Sequence, residues 1–354
     1  MELCENQFLY ECDENNAEEA DEEIIVVVRK QYTVRPRPDL LNKYDNIEFL
    51  RRFRFHKRTV QMILTLIEQR IRSKTDRNHA VSPLQQLLLT LRFYATGTYL
   101  VAIGDLGGIH KSTMCRIIKK VTEAIASLRL QYIYCPNSNQ SLRHTKEGFY
   151  NIARFPRVIG AIDCTHVKIQ SPGGEEAEVF RNRKGIFSIN VQAVCDSALK
   201  FLDIVARWPG STHDSTIFNA SRIRAKFING EMGDALLLGD SGYACTNFLL
   251  TPLLETHTQA EELYNESQIR TRNVVERSFG VWKRRFAALA FGLRMKPLNA
   301  QTVIVATAVL HNIALNQGEP DLPIDFDIEA ALEELENPEA HNNGIDNANS
   351  CPLK

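Results

Sequence analysis

The sequence predicts an α/β protein in which a mixed-sheet region follows a helical region. Apolar residues recur at helical spacing through the first third of the chain, and after Phe155 the texture changes to short apolar and alternating runs. Helical spacing then returns toward residue 315. The 354 residues are 44% apolar and 24% charged, which suits an ordinary globular chain and excludes a collagen-like or wholly disordered one.

The helical region spans about 46–141. Phe53, Phe55, Val60, Ile63, Leu64 and Ile67 fit one amphipathic period, and Leu84, Leu87, Leu88 and Leu91 fit another. Further on, Leu100-Val101-Ala102-Ile103 reads as an apolar turn, Gly107-Gly108 as a break and Ser112-Thr113 as a helix cap. The helix that follows carries Lys111, Arg116, Lys119 and Lys120 beside Met114, Ile117, Ile118 and Val121. This outline fits a DNA-contacting helix-turn-helix, and also a structural helical hairpin. The run Arg51–Arg58 fits a nuclear-localisation or DNA-contact patch, or an amphipathic helix with a basic face.

Beyond Phe155, Val158–Asp163 reads as an apolar strand. Residues 186–195 alternate, with Phe187, Ile189, Val191 and Ala193 on one face and Ser188, Asn190 and Gln192 on the other. A third strand over 201–208 is closed by Pro209-Gly210. A helix near 218–227, a strand over 235–239 and helices over 274–289 and 300–315 complete the order. Strands followed by helices in this order predict a mixed sheet. The apolar stretch 302–315 is interrupted by Thr and His and is short for a bilayer span, so no membrane association is expected.

The net charge of −1 conceals a strong asymmetry. Residues 1–28 hold ten acidic side chains and no Lys or Arg, and residues 319–354 hold ten more against Lys354. Residues 29–318 therefore carry a net charge of +18, which reads as an electrostatic footprint for a polyanion or as a solvated basic surface. The expected organisation is an acidic flexible segment 1–28, a helical domain 29–145, a mixed-sheet domain 146–317 and an acidic flexible tail 318–354. The eight cysteines show no CxxC pair or zinc-finger spacing, and Cys115, Cys164 and Cys195 are expected as reduced core residues. An acidic rather than basic-apolar start points to an intracellular protein.

Carboxylates beside strands carry the chemical argument. Asp163 follows Val158–Ile162 and Asp240 follows Leu236–Gly239, so both are expected at strand carboxyl ends, where open α/β sheets place their sites. Asp214 follows the third strand, and Glu276 lies one turn into the helix that begins near Asn273. Lone carboxylates at strand ends are often helix caps or turn formers. Gathered at one sheet edge, they repel one another unless a cation intervenes. Hard oxygen ligands suit Mg²⁺ or Mn²⁺, which support phosphodiester cleavage. Arg181, Arg183 and Lys184, with Arg272, Arg277, Lys283 and Arg284 around Glu276, are candidate phosphate contacts, as are Lys111, Arg116 and Lys119.

Five blocks carry a family resemblance: Ala161–Val167, Arg183-Lys184-Gly185 through Gln192, Gly210–Ser215, Gly239–Tyr243 and Val275–Gly280. Together they resemble the signature of the PIF/Harbinger DDE transposases, and most closely the Harbinger transposase-derived nucleases, over about 157–312. The resemblance implies a ribonuclease-H-like catalytic domain with divalent-metal carboxylates at Asp163, Asp240 and Glu276, and with Asp214 at the site as a fourth ligand candidate. It also implies DNA as substrate, a Myb/SANT-like DNA-binding partner, and a place in nucleus and cytoplasm; an oligomer is compatible with it. His166 and His213, each near a site carboxylate, suit either ligand orientation or a structural role. Two other readings stay open: a DNA-binding adaptor whose catalysis has lapsed, and a small-substrate phosphohydrolase, which the breadth of basic charge disfavours.

Overall fold

A computed structural model describes residues 37–75, 79–323, 328–329 and 331. The acidic segment 1–28 and most of the acidic tail lie outside these residues, as do Cys4, Cys12 and Cys351. The first part is helical: α1 (Leu40–Lys43), α2 (Asn46–Phe53), α3 (Lys57–Ile71), α4 (Pro83–Thr96), α5 (Leu100–Gly107), α6 (Lys111–Ala126), α7 (Arg129–Tyr132) and α8 (Asn139–Ala153). Local chemistry sets the ends. Ser82 accepts the Gln85 N–H ahead of Pro83 at the start of α4, and Gly97 closes that helix at φ 61°.

Residues 100–103 form the first turn of α5, the helix that precedes the glycine break. Gly108, at φ 63°, lets the Ile109 N–H return to the Gly104 carbonyl at 2.8 Å and so ends α5. Gly104 is needed for that closure, since a Cβ there would lie 2.4 Å from the Ile109 carbonyl oxygen. The cap of α6 is His110, whose ring accepts the Ser112 N–H, and not the expected Ser112-Thr113. Lys111, Arg116 and Lys119 are exposed on α6, while Met114, Ile117, Ile118 and Val121 are buried. Lys120 instead caps the end of α3 through the Ile71 and Arg72 carbonyls. Cys115, expected in the core, is exposed on this helix; Cys195 is buried.

The sheet comprises β1 (Val158–Lys168), β2 (Ser188–Cys195), β3 (Phe201–Pro209), β4 (Leu236–Leu238) and β5 (Leu249–Leu250), in the order β3-β2-β1-β4-β5. β1–β2 and β2–β3 are antiparallel, whereas β1–β4 and β4–β5 are parallel. All eight residues of β2 are buried, so its alternation reflects two covered faces and not one solvated face. Around the sheet lie α9 (Asp214–Asn219), α10 (Arg222–Ile228), α11 (Gln259–Arg272), α12 (Val274–Arg285), α13 (Ala288–Phe291) and α14 (Pro297–Asn316). The single helix expected near 218–227 is divided because Ser221 accepts the Arg224 N–H and caps α10. Neither α11 nor β5 is evident in the sequence pattern.

One hydrophobic core includes Phe53, Ile63 and Leu88 of the helical part together with Val167, Ile204 and Trp282 of the α/β part. A boundary at 145/146 falls inside α8. The apolar stretch near 302–315 is part of a longer helix, α14, whose 20 residues reach the length of a membrane span. It is a core helix here: Asn312 accepts the Phe201 N–H at 2.9 Å and donates to the Phe201 and Tyr132 carbonyls. Glu319, the first acidic residue counted in the tail, is buried at the start of α3. Its carboxylate accepts the His56 N–H at 3.1 Å and the Thr59 hydroxyl.

Candidate active site

Unequal strand lengths open the site. β1 pairs with β2 through Lys168, but its parallel pairing with β4 ends at Ala161↔Leu238. Asp163 and Asp240 each lie two residues beyond that last pair, on adjacent strands leading in the same direction. Asp240 therefore follows a strand end as expected. Asp163 does not: it is in the middle of an 11-residue strand, because the polar Cys164-Thr165-His166 continues to pair with β2.

Each acid is held by its neighbours. The Cys164 N–H donates to Asp163 Oδ1 at 2.7 Å. Asp240 opens a tight turn in which the Gly242 N–H donates to its Oδ1 at 3.1 Å. Asp214 is the first residue of α9 and accepts from Asn190 Nδ2 of β2 at 2.9 Å; the same amide holds the Thr212 carbonyl at 2.8 Å.

Glu276 reaches the group through a stripe at i, i+4 and i+8 across the α11–α12 junction. Gln268, fully buried, donates to the Gly239 carbonyl at 2.8 Å and so pins α11 beside the Asp240 turn. One turn on, Arg272 donates to Asp163 Oδ2 at 3.2 Å and to Glu276 Oε1 at 2.5 Å. Arg272 thus joins a strand carboxylate to a helix carboxylate.

The electrostatics follow from this crowding. Burial pushes the Asp163 carboxyl up to about 7; the charges of Asp240 and Asp214 add to that, against the Cys164 N–H and Arg272. Burial also holds His166 down to about 4, leaving a neutral ring that shares a 3.0 Å hydrogen bond with the Ser188 hydroxyl. Arg183 donates to His213 Nδ1 at 2.5 Å, so that ring nitrogen is an acceptor.

Among the described residues, no three His, Cys, Asp or Glu side chains are already arranged as a cation cage. The chemistry of the donors nevertheless fits a hard divalent cation. Asp163 is a mostly buried carboxylate whose charged form its acidic neighbours disfavour, and Asp240, Asp214 and Glu276 add only oxygen ligands. Glu276, with 52% of its side chain exposed, has room to turn from Arg272 toward such an ion.

The basic candidates divide by position. Arg183 and Lys184 are exposed in the turn before β2, from which Arg183 reaches His213 beside Asp214, and Arg277 is exposed next to Glu276 in sequence. Arg181 is engaged with Glu178 at 2.7 Å and stacks on Phe187. Lys283 is buried beneath β1, where it donates to the Thr165 hydroxyl at 2.8 Å and the His166 carbonyl at 3.1 Å. Arg284 faces Glu329 at 3.9 Å. Gln268 and Asn190 carry no charge and belong to no chemical motif in the sequence; the i, i+4 spacing of Gln268 with Arg272 is the signal available for the first.

Comparison with known proteins gives the family. Residues 162–312 match the DDE superfamily endonuclease family, a span that takes in all four carboxylates. "Putative nuclease HARBI1" of Rattus norvegicus is 34% identical over 267 residues, covering 75% of this chain and 76% of the relative, and that of Homo sapiens gives the same figures. "Protein ALP1-like" of Arabidopsis thaliana is 25% identical over 76% of this chain and 71% of its own length. No solved structure matches. With a five-stranded mixed sheet, a ribonuclease-H-like endonuclease domain and this breadth of identity, the chain belongs to the family of Harbinger transposase-derived nucleases.

Proposed function

We propose that the protein is a divalent-metal-dependent DNA endonuclease. The observation that carries this reading is the placement of Asp163 and Asp240 two residues past the same parallel pair, with Glu276 tied to Asp163 through Arg272. Asp163, Asp240 and Glu276 would hold Mg²⁺ or Mn²⁺, with Asp214 as a further ligand. When bound, the ion supplies an activated water and stabilises the leaving oxygen of a phosphodiester. Exposed Arg183, Lys184 and Arg277 would position the phosphate backbone, and Lys111, Arg116 and Lys119 on α6 would hold DNA farther from the carboxylates. The nuclease names of relatives support this reading. A Myb/SANT-like partner and a nuclear and cytoplasmic location are part of the same proposal and rest on the family resemblance.

Purified protein is expected to nick supercoiled DNA with Mg²⁺ or Mn²⁺ and not with EDTA. Asp163→Asn and Glu276→Gln should abolish nicking while the melting temperature and salt-dependent DNA binding persist. A second reading, DNA binding without cleavage, draws on the engagement of Asp163 and Glu276 by Arg272. Steeply salt-dependent binding with no metal-dependent nicking by the wild type would favour it.

A further inference from the structure

Arg272 is placed unlike an ordinary helix-surface arginine. Only 14% of its side chain is exposed, its two terminal amines go to different carboxylates, and its buried Nε has no hydrogen-bond partner among the described residues. An exposed Arg–Glu pair at i, i+4 contributes only a few tenths of a kcal/mol. Here the guanidinium also reaches Asp163, a residue of β1 that is itself only 17% exposed. The two carboxylates it joins are among those assigned above to the cation.

A guanidinium and a divalent cation compete for the same carboxylate lone pairs. The planar Arg fork also matches the oxygens of a phosphate, in the same bidentate manner. We propose that Arg272 is an exchangeable counter-ion, held by Asp163 and Glu276 until a DNA phosphate draws it away and leaves both carboxylates open to metal. The proposal rests on the metal-site reading above. Without DNA, a cation binds only the fraction of molecules in which Arg272 has let go, which lowers its apparent affinity. DNA that takes up Arg272 removes that cost, so metal and DNA bind cooperatively, and the coupling is reciprocal.

Titration of the full chain with Mn²⁺, followed by the electron paramagnetic resonance signal of the free ion, tests this. Arg272→Met keeps an unbranched apolar stem but no charge, and is expected to bind Mn²⁺ about tenfold more tightly than wild type in the absence of DNA. Arg272→Lys, a point charge unable to span both carboxylates, is expected to fall between them. A duplex made uncleavable by phosphorothioate linkages should tighten Mn²⁺ binding by the wild type and change that of Arg272→Met far less. Thermal melts establish that each variant is folded, and Asp163→Asn identifies the binding that belongs to the site. Asp163-dependent Mn²⁺ binding that Arg272→Met leaves unchanged or weakens overturns the proposal, weakening meaning that Arg272 positions the carboxylates. Mn²⁺ binding that ignores Asp163 would instead remove the metal-site reading on which the proposal stands.

Discussion

Asp240 is constrained by the smallest residue near it. Its carboxylate folds back onto Gly242, where an added Cβ would lie 3.2 Å from Oδ1 and 3.5 Å from Oδ2. The backbone of Gly242 is not in the left-handed region, so alanine is conformationally allowed there and acts by crowding alone. Gly242→Ala is expected to lower cleavage by roughly 10-fold to 10²-fold, the scale of a misplaced catalytic group. Stability should change by less than about 1 kcal/mol, as at other positions outside the core. Melting and single-turnover cleavage measured side by side check this, and a variant that cuts normally would show that the Asp240 position is not critical. The acids themselves are legible in the sequence, since Asp163 and Asp240 each end an apolar run. The side chains that hold the site are not: Asn190 and Gln268 are neutral amides whose roles depend on which carbonyl or carboxylate the fold brings near.

Elements show why some boundaries are readable and others are not. β4 is short and apolar, so both its ends appear in the sequence, whereas β1 passes through five polar or part-buried residues before it stops. Periodicity reports burial, and Asp163 lies where burial changes while hydrogen bonding to β2 does not. α11 is hidden for the same reason: it begins with a Thr258–Glu261 capping box, but its buried residues are Gln268 and Thr271. α14 presents the reverse case, a strongly apolar helix carrying His311 completely buried against the Leu199 carbonyl, to which its Nε2 lies at 2.8 Å. Burial holds that imidazole down to about 4 from the usual 6.5. The unfolded chain therefore takes up a proton that the folded chain refuses, and stability is lost as pH falls from 6.5 toward 4, by about 3 kcal/mol in all. Asp163 acts in the opposite sense, because its raised carboxyl binds a proton more readily in the folded state. Urea unfolding of wild type and His311→Gln across this range separates the two: the stability advantage of wild type should shrink by about 3 kcal/mol between pH 7 and pH 4. A constant difference would mean that His311 is not held neutral.

At the scale of the whole molecule, charge and fold agree. The near-zero net charge arises from two acidic ends and a central region at +18, and the described residues display part of that excess as exposed Lys111, Arg116 and Lys119 on α6 and Arg183, Lys184 and Arg277 in the α/β part. The helical and sheet parts share one core, which makes α6 and the carboxylate site faces of a single body. The succession of α5, a glycine turn and α6, and the order of β1 to β4, are visible as patterns along the chain. The exchangeable pairing of Arg272 is not, because it joins residues 109 positions apart. The location of the ion decides the site assignment most directly. Diffraction from crystals grown with Mn²⁺ and a DNA duplex, read in anomalous difference maps, is expected to show density against the carboxylates of Asp163 and Asp240 that disappears in Asp163→Asn. Density only at other side chains, under metal concentrations at which the same protein nicks DNA, would contradict it.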